Sequence, residues 1–273
     1  MIELPEAAVI SQQIQDTLQG KRIERAVAGA SPHKWAWYTG DPAEYNERLA
    51  GKTIGTASYA GCHIEFMADD MRLSIGAPIR YHPQGGRRPA KHQLLLEFDD
   101  GTAITSSAQM WGAFMCFSQD ESTGLHDWET AQARPSPLTD AFDRAYFATL
   151  LTDETTTLSA KAFLATEQRI PGLGNGVLQD ILWTARIHPR RKLGELSDAA
   201  VDAMYAAVID VLAAMAVQGG RDTEKDLYGE PGGYRTVLSR FTVGSPCPSC
   251  GATIQKASYL GGTIYYCPGC QPS

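Results

Sequence analysis

Apolar residues near the start of the chain recur at the spacing of an amphipathic helix. Ile10, Ile14 and Leu18 lie four residues apart, so they share one helical face. Pro5 fits the first turn of such a helix, and Gly20 fits the position just beyond its end. The stretch PEAAVISQQIQDTLQG therefore predicts a helix with one buried face.

Shorter apolar runs follow, with the length and spacing of strands. The segment KHQLLLEFDDGTAITSS predicts two strands joined at an Asp-Asp-Gly turn. The segments SYAGCHIEFM and DMRLSIGAPIRYH predict further strands before it. We therefore expect the first half of the chain to be a β domain.

From about residue 135 the pattern becomes helical. The connector ARPSPLTD precedes a predicted helix through AFDRAYFATLL, for which Thr139 or Asp140 is the expected cap. The segments SAKAFLATEQR and VLQDILWTARI predict two more helices on either side of the loop IPGLGNG. A long helix is predicted from a cap at Ser197 to a stop at Gly219 and Gly220. Strands followed by helices favour an α+β fold.

The loop IPGLGNG has three alternating glycines. Gly172, Gly174 and Gly176 remove side chains from a turn that opens onto a helix, where backbone N–H groups suit an anion such as phosphate. Asn175 adds a side-chain donor. A basic cluster follows downstream, made of Arg186, His188, Arg190, Arg191 and Lys192. From the loop alone, an ordinary turn between helices is the simpler interpretation.

Four cysteines lie close together near the end of the chain. Cys247 and Cys250 form one CxxC pair, and Cys267 and Cys270 form another, with 16 residues between the pairs. This spacing predicts a structural site for one Zn²⁺ ion held by four thiolates, with a β-hairpin between the pairs. Two disulfides or a redox pair are the alternative, which a cytoplasmic location disfavours.

Composition and charge set broader limits. The chain has 273 residues, of which 43% are hydrophobic and 20% are charged, as in folded globular proteins. It shows neither a signal-peptide pattern nor an apolar run of about 18 residues, so we expect a cytoplasmic protein that does not enter a membrane. The net charge of -7 argues weakly against a general polyanion binder. It leaves room for a local basic face, because charge is screened within about 10 Å.

Taken together, these motifs resemble the formamidopyrimidine-DNA glycosylase/endonuclease VIII family of base-excision enzymes. The resemblance covers nearly the whole chain and rests on ELPE at the N-terminus, GLGN followed by IHP, and the C-terminal CxxC…YYCPGCQ. It implies an N-terminal β-sandwich flanked by helices (1–130), a helix-two-turn-helix DNA-binding domain (131–240) and a zinc-finger β-hairpin (241–273). It also implies damaged duplex DNA in the cleft between the two halves, bound by a monomer.

The resemblance assigns the DNA contacts. In such enzymes GLGN lies on the phosphates around the lesion, which carries over to Gly172, Gly174 and Asn175. The basic candidates for phosphate contacts are Arg72, His92 and Arg190. The loop GGRRPAKH, with Arg87, Arg88 and Lys91, either adds to them or is a solvated surface loop. The positions that fill the space left by an extruded base are Ile75, Gln109 and Trp111, where the family has a methionine, an arginine and an aromatic residue.

The chemistry departs from the family at the N-terminus. The family uses an N-terminal proline, exposed by removal of methionine, to attack the sugar C1′, and a glutamate follows it. Here these positions are Ile2 and Glu3. If Met1 stays, its amine is displaced by about 3.8 Å from the expected place. Met1, Ile2 and Glu3 are the catalytic candidates. Glu3 either activates water or only stabilises the first helix, as a carboxylate near the positive end of the helix dipole.

Two further departures bear on function. The family's strand lysine is Cys62 here, and the arginine of its zinc-finger hairpin is Gly262. A small buried residue is the favoured interpretation of Cys62 over a nucleophile. Three functions remain open: a DNA glycosylase with possible AP-lyase activity, a damaged-DNA or abasic-site binding protein without chemistry, and a zinc-ribbon protein for RNA or protein partners. The glycosylase is the leading hypothesis, because Glu3 and the GLGN loop are retained.

Overall fold

The computed structural model describes residues 2–272. Its α-helices are α1 (Leu4–Leu18), α2 (Tyr45–Leu49), α3 (His126–Ala133), α4 (Arg144–Thr149), α5 (Ala160–Ala165), α6 (Leu178–Thr184) and α7 (Asp198–Val217). Its strands are β1 (Ile23–Ala28), β2 (Ala36–Tyr38), β3 (Ile54–Ala60), β4 (His63–Ala68), β5 (Met71–Ile75), β6 (Ile79–His82), β7 (Leu94–Phe98), β8 (Ala103–Ser106), β9 (Gly112–Ser118), β10 (Gln255–Tyr259) and β11 (Gly262–Tyr266). The fold is therefore α+β, as the sequence predicts.

The first nine strands form two sheets. One has the order β1-β7-β8-β6 and is antiparallel throughout, and the other has the order β2-β9-β5-β4-β3 with only the β2-β9 pair parallel. Apolar residues from both sheets share one core, among them Phe66 and Leu73 from the larger sheet and Leu96 and Phe98 from the smaller. The predicted Asp-Asp-Gly turn joins β7 and β8, where Gly101 has a φ of +78° that favours glycine.

The helix α1 closes one side of this first core. Its fully buried Ile10, Ile14 and Leu18 pack with the sheets, which confirms the predicted apolar face. The two preceding residues lie just outside the helix, and Glu3 is its N-cap. Leu4 belongs instead to a second core, made by α4 to α7. The N-terminus of α1 therefore lies where the sheet half and the helical half of the chain meet.

The helical half differs from the sequence-based expectation at two ends. The helix α4 begins at Arg144, and the Asp143 side chain accepts a hydrogen bond from Tyr146 N at 2.6 Å. The cap is thus Asp143 rather than Thr139 or Asp140. The residues before it form two successive turns, in which Thr139 N donates to Ser136 O at 3.0 Å and Phe142 N donates to Thr139 O at 3.1 Å. The helix α5 ends at Ala165 instead of continuing through EQR, since Glu167 and Gln168 adopt positive φ values of 58° and 46°.

The long helix α7 confirms its predicted ends. Ser197 accepts a hydrogen bond from Ala200 N at 3.3 Å, and Gly219 and Gly220 follow the helix with positive φ. By length and composition alone α7 could cross a membrane, with a mean hydropathy of 1.8. The sequence-based expectation concerned uninterrupted apolar runs, and Asp202 and Asp210 interrupt this helix. One such helix is weak evidence for a membrane span, since the core helix of a globular protein passes the same test, and one face of α7 lies in the second core.

Candidate active site and nucleic-acid interface

Glu3 lies at the junction of the two halves, and its side chain is buried. Glu3 Oε1 accepts a hydrogen bond from Gly176 N at 2.8 Å, and Oε2 accepts one from Val177 N at 2.8 Å. The amides that precede α6 therefore bind a carboxylate of the chain itself. This corrects the expectation that these amides of the glycine loop are free to bind a phosphate.

A buried arginine lies against the same carboxylate. Arg221 Nη1 is 3.4 Å from Glu3 Oε2, while Nε and Nη2 donate to the Glu6 carboxylate at 2.9 and 2.6 Å. Glu6 also accepts a hydrogen bond from Glu3 N at 3.2 Å. We call these three residues the carboxylate–arginine cluster. Charges this deeply buried are stable only when they are paired and hydrogen-bonded, as they are here.

The environment of Glu3 suits a base. Burial raises the pKa of Glu3 above its usual value of 4.5, while the charge of Arg221 and the two amide donors act in the opposite direction. A carboxylate with a raised pKa is a stronger base in its ionised form. An ionised carboxylate has about four acceptor sites, and the amides and Arg221 occupy three of them. The backbone N–H of Glu6 also donates to this carboxylate, in the capping box at the start of α1.

The glycines of GLGNG are required by close approach. A Cβ at Gly174 would lie 2.6 Å from Glu3 Oε1, and one at Gly176 would overlap the guanidinium of Arg221. Gly172 has a φ of +75°, and its backbone packs directly on the turn between β3 and β4. The loop therefore serves to seat Glu3 and Arg221, and neither a plain turn nor a free phosphate cradle describes it fully.

Two cavities meet at Ile2. The larger one has a volume of about 770 Å³ and is open to solvent. Its charged lining residues are Arg80, Arg87, Arg88, Glu224, Lys225 and Arg240. The smaller one has a volume of about 130 Å³ and is partly open. Ile2 lines both cavities and is itself buried, with its side chain in the first core.

The smaller cavity brings several chemical groups together. Its lining residues are Ile2, Glu3, Cys62, His63, Trp111, Asp127, Ala131, Gln168, Gly172, Leu173 and Gly174. Burial raises the pKa of the Cys62 thiol to about 12, so this side chain is protonated and a poor nucleophile. That state agrees with the structural interpretation of Cys62, although the residue is only partly buried.

Asn175 connects the glycine loop to the C-terminal hairpin. Its Nδ2 donates to the carbonyl of Thr263 in β11 at 3.0 Å. Its Oδ1 is buried and accepts no hydrogen bond from the residues that the structure describes. Gly262, where the resemblance leads us to expect an arginine, leaves space into which Lys161 Nζ extends. A role of Asn175 in binding DNA remains a prediction.

The predicted basic contacts lie in separate places. Arg72 in β5 forms an ion pair with Glu65 at 3.3 Å. Arg190 donates to the carbonyl of Ser258 in β10 at 3.2 Å, beside the hairpin. His92 lies at the end of the GGRRPAKH loop. The lining described for the larger cavity contains none of these three, but it does contain Arg87 and Arg88 of that loop.

The structure places the three residues that are expected to fill the space left by an extruded base, Ile75, Gln109 and Trp111, in different surroundings. Ile75 is fully buried at the end of β5, so the expectation that it fills space in DNA is corrected: the side chain is part of the first core. Gln109 is exposed and lines the larger cavity. Trp111 is partly buried and lines the smaller cavity, with its ring 6.3 Å from the ring of His63. Of the catalytic candidates, Met1 lies outside the described residues.

The four C-terminal cysteines converge. All four Sγ atoms lie within 4.8 Å of one another, with 3.7 Å between Cys247 and Cys270 and 3.3 Å between Cys250 and Cys267. A disulfide needs about 2.05 Å, so these are four separate thiols. A tetrahedral ion with metal–sulfur bonds of about 2.3 Å implies Sγ–Sγ distances of about 3.8 Å. The cluster therefore fits one metal ion, and β10 and β11 form the hairpin between its two halves.

Sequence reasoning missed two residues of this site. Arg221 follows two glycines in GGRDTEKD, a run of charges that is typical of a solvated loop, so nothing there predicts a buried guanidinium. His63 follows Cys62 at the start of a strand, where a histidine is unremarkable. Both are identified only by burial, since Arg221 is 2% exposed and His63 is 1% exposed.

Comparisons with known proteins bear on the whole chain. A family model described as the H2TH domain of formamidopyrimidine-DNA glycosylase matches residues 134–226. The relatives named formamidopyrimidine-DNA glycosylase include two that match this chain over nearly its whole length. The one from Enterococcus faecalis is 28% identical over 283 residues, covering 99% of this chain and 97% of the relative. The one from Lactococcus lactis subsp. cremoris is 26% identical over 279 residues, covering 99% of each.

Solved structures share the fold. A complex of Fpg from Lactococcus lactis with DNA that contains an abasic site has a TM-score of 0.82 at 24% identity, covering 99% of this chain and 100% of that one. A complex of a mutant of the same organism's Fpg with a Fapy-dG containing DNA also has a TM-score of 0.82 at 24% identity and the same coverage. At this level of identity the likeness establishes a common architecture.

Proposed function

Since this chain belongs to the formamidopyrimidine-DNA glycosylase/endonuclease VIII family, we propose that it is a DNA repair glycosylase that releases a damaged base from duplex DNA. One observation carries the proposal. Glu3, which follows the position of the family's nucleophile, is buried, ionically paired and hydrogen-bonded beside a small, partly open cavity that shares Ile2 with a larger basic one.

Glu3 is the proposed general base. Glu3 lines the smaller cavity, and its carboxylate can take the proton from a water molecule there as that water attacks the sugar C1′. The C1′–N bond to the damaged base then breaks, and the bonding electrons leave with the base. Arg221 acts as a positioning residue, because its guanidinium lies 3.4 Å from the Glu3 carboxylate and holds it together with the amides of Gly176 and Val177. This route uses no amine and yields an abasic site without strand cleavage.

The larger cavity is the proposed contact with the DNA backbone. Five of its lining side chains are cationic and one, Glu224, is acidic, in a chain whose net charge is -7. Such a local excess of cations suits a phosphate backbone and predicts binding that weakens steeply with salt. Gln109 lines the same cavity and is the proposed partner of the base that loses its pair. DNA contacts are also proposed for Gly172, Gly174, Asn175, Arg72, His92 and Arg190, which lie outside the lining of this cavity.

The metal is proposed to be a single structural Zn²⁺. Cys247, Cys250, Cys267 and Cys270 would hold it, and four thiolates at this spacing suit zinc. Bound zinc would fix the hairpin, whose Thr263 carbonyl accepts the hydrogen bond from Asn175. The metal therefore supports the glycine loop from a distance and takes no part in the reaction at C1′.

The proposed partner is double-stranded DNA with a damaged or abasic site, bound by a monomer. Acting on chromosomal DNA would place the chain in the cytoplasm with the nucleoid. The division into 1–130, 131–240 and 241–273 remains part of this proposal.

The test is a panel of duplexes that each carry one damaged base, incubated with protein whose N-terminus has been verified by intact mass. Alkali then cleaves at every abasic site. We expect breaks that depend on alkali and no covalent adduct with sodium borohydride. An adduct with the native chain would assign the chemistry to an amine, with lyase activity. Tight damage-specific binding without base release from any duplex would overturn the glycosylase in favour of a damage-binding protein.

A further inference from the structure

A segment that follows α7 runs along α1. It comprises residues 221–228, and we call it the strap. At its first residue, Arg221 N donates to Glu6 Oε1 at 3.1 Å, beside the guanidinium contacts of the carboxylate–arginine cluster. At its last residue, the hydroxyl of Tyr228 is hydrogen-bonded to that of Thr17. Glu6 and Thr17 lie on one face of α1, about three turns or 16 Å apart along its axis. The strap therefore follows α1 from its first turn to its last.

Gln13 clamps the strap between these two ends. Its Nε2 donates to Asp226 Oδ2 at 2.8 Å, and its Oε1 accepts a hydrogen bond from Leu227 N at 3.0 Å. Gln13 lies on the same face of α1 as Glu6, about two turns further along the helix. One side-chain amide thus uses both of its polar ends on two consecutive residues of the strap.

Leu227 anchors the strap in the sheet half of the chain. Its side chain is fully buried in the first core, whose other buried members all lie between Ile2 and Cys116. Its carbonyl accepts a hydrogen bond from Tyr81 N in β6 at 2.8 Å. The strap therefore leaves α7 of the helical half and is fixed in the sheet half.

The strap also forms part of the wall of the larger cavity. Thr223, Glu224 and Lys225 line this cavity, and Lys225 is exposed. Gly229, directly after the strap, packs against a second cation of the same cavity, because a Cβ at this position would overlap the guanidinium of Arg80. The positions of two of the five cationic side chains of the cavity therefore depend on where the strap lies.

Asp226 connects the clamp to both of these cations. Its Oδ2 accepts the hydrogen bond from Gln13, while its Oδ1 accepts hydrogen bonds from the backbone N–H groups of residues 228–230 at 2.8 to 3.0 Å. An Asp side chain that binds the backbone N–H groups after it fixes a turn. Lys225 precedes Asp226 directly. Gln13 therefore holds the turn that places both cations at the cavity wall.

We propose that Gln13 is a positioning residue for DNA binding: through the strap it holds Lys225 and Arg80 where the DNA backbone is received. The inference rests on the proposed function, in which the larger cavity contacts the phosphates. A cation that is held in place before binding loses less conformational freedom on contact than one that the ligand must order. Gln13 lines neither the larger nor the smaller cavity, so its effect on DNA binding is exerted through the strap.

The test measures the affinity of the full chain for a duplex that carries a tetrahydrofuran abasic analogue, by fluorescence anisotropy at low salt. Gln13→Glu places a second carboxylate against that of Asp226 and should weaken binding about tenfold. Adding Asp226→Asn reverses the direction of this one hydrogen bond, since the new amide donates to the new carboxylate, and it keeps the oxygen that binds residues 228–230. The double variant has the net charge of the native chain and should bind within about twofold of it.

Gln12→Glu is the matched control, since Gln12 is exposed and the substitution adds the same charge one residue earlier in α1. A second measurement repeats Gln13→Glu in a chain that carries Lys225→Met and Arg80→Met. Without these cations the clamp has nothing to position, so Gln13→Glu should weaken binding there by less than about twofold. Thermal unfolding of each variant identifies any that fails to fold, and Gln13→Ala, which adds no charge, then replaces Gln13→Glu in this comparison.

Three results would overturn the inference. They are native affinity in Gln13→Glu, failure of Asp226→Asn to restore the affinity, and an equal loss with and without the two cations, which would give Gln13 a role in folding alone. Each of these leaves binding to the duplex intact in the native chain, so the proposed function survives. Failure of the native chain to distinguish the abasic duplex from an undamaged one would instead remove the proposed function, and the inference with it.

Discussion

Replacing Arg221 by methionine should destabilise the chain severely. The guanidinium is 2% exposed and lies between two buried carboxylates, those of Glu3 and Glu6. Methionine has a similar length and fills much of the space, so the main effect is the loss of charge and of hydrogen bonds. Removing one partner of a buried ion pair leaves an uncompensated charge and costs about 3–5 kcal/mol of the free energy of unfolding.

The effect should depend on pH in a defined direction. The pKa of Glu3 is already raised by burial, and Arg221 is the largest influence that lowers it. Without Arg221 the pKa of Glu3 rises further above its unfolded value, so the folded variant binds a proton more readily than the unfolded one. The destabilisation is therefore greatest at about pH 7.5 and shrinks as the pH falls toward about 5.5.

Urea denaturation of the native chain and the variant at both pH values measures this effect. Arg235→Met is the matched control, because the Arg235 side chain is 89% exposed and lies 4.0 Å from Asp222. We expect the control to change the free energy of unfolding by less than about 0.5 kcal/mol. A loss of less than about 1 kcal/mol in Arg221→Met, or a loss that is equal at both pH values, would refute the reasoning.

Three further predictions follow from the same contacts. Gly176→Ala should push the Arg221 guanidinium away from Glu3 and lower the single-turnover rate of base release by about 10²-fold. Circular dichroism should show that the variant is folded. An unchanged rate would mean that the alignment of Arg221 with the Glu3 carboxylate does not affect base release. Chelating the metal, or Cys267→Ser, should release the hairpin and weaken binding to an abasic duplex, whereas Cys116→Ser, outside the cluster, should not. His63→Phe should remove an acid sensitivity. The pKa of His63 is about 4 in the folded chain and 6.5 in the unfolded chain. As the pH falls from 6.5 to 4, this histidine therefore lowers the free energy of unfolding of the native chain by up to about 3 kcal/mol. Urea denaturation at both pH values should show that this contribution is missing in the variant.

Periodic segments could be predicted from the sequence, and weakly patterned ones could not. The helix α1 was identified because its apolar residues and its proline and glycine all agree. The helix α3 was missed because HDWETAQA has no regular apolar spacing, in keeping with its single buried residue, Ala131. The α4 cap was misplaced because ARPSPLTDAFD offers several capping residues in succession, and only tertiary packing selects Asp143.

The candidate site was predictable only where one segment contains it. Cysteine spacing alone located the metal cluster, since four ligands lie in two short pairs. The partners of Glu3 could not be found this way, because Gly176 and Arg221 lie more than 170 residues away along the chain. For the same reason the glycine loop suggested a phosphate site, whereas its amides hold Glu3.

The most direct test of Glu3 as the base is the single-turnover rate of base release from a damaged duplex by the native chain and by Glu3→Gln. Glu47→Gln, at an exposed position, is the control. Affinity for a duplex that carries a tetrahydrofuran abasic analogue shows whether the cleft is intact. We expect Glu3→Gln to bind the analogue normally and to release the base about 10²–10⁴ times more slowly. Base release at the native rate by Glu3→Gln would contradict the assignment of the chemistry to this carboxylate.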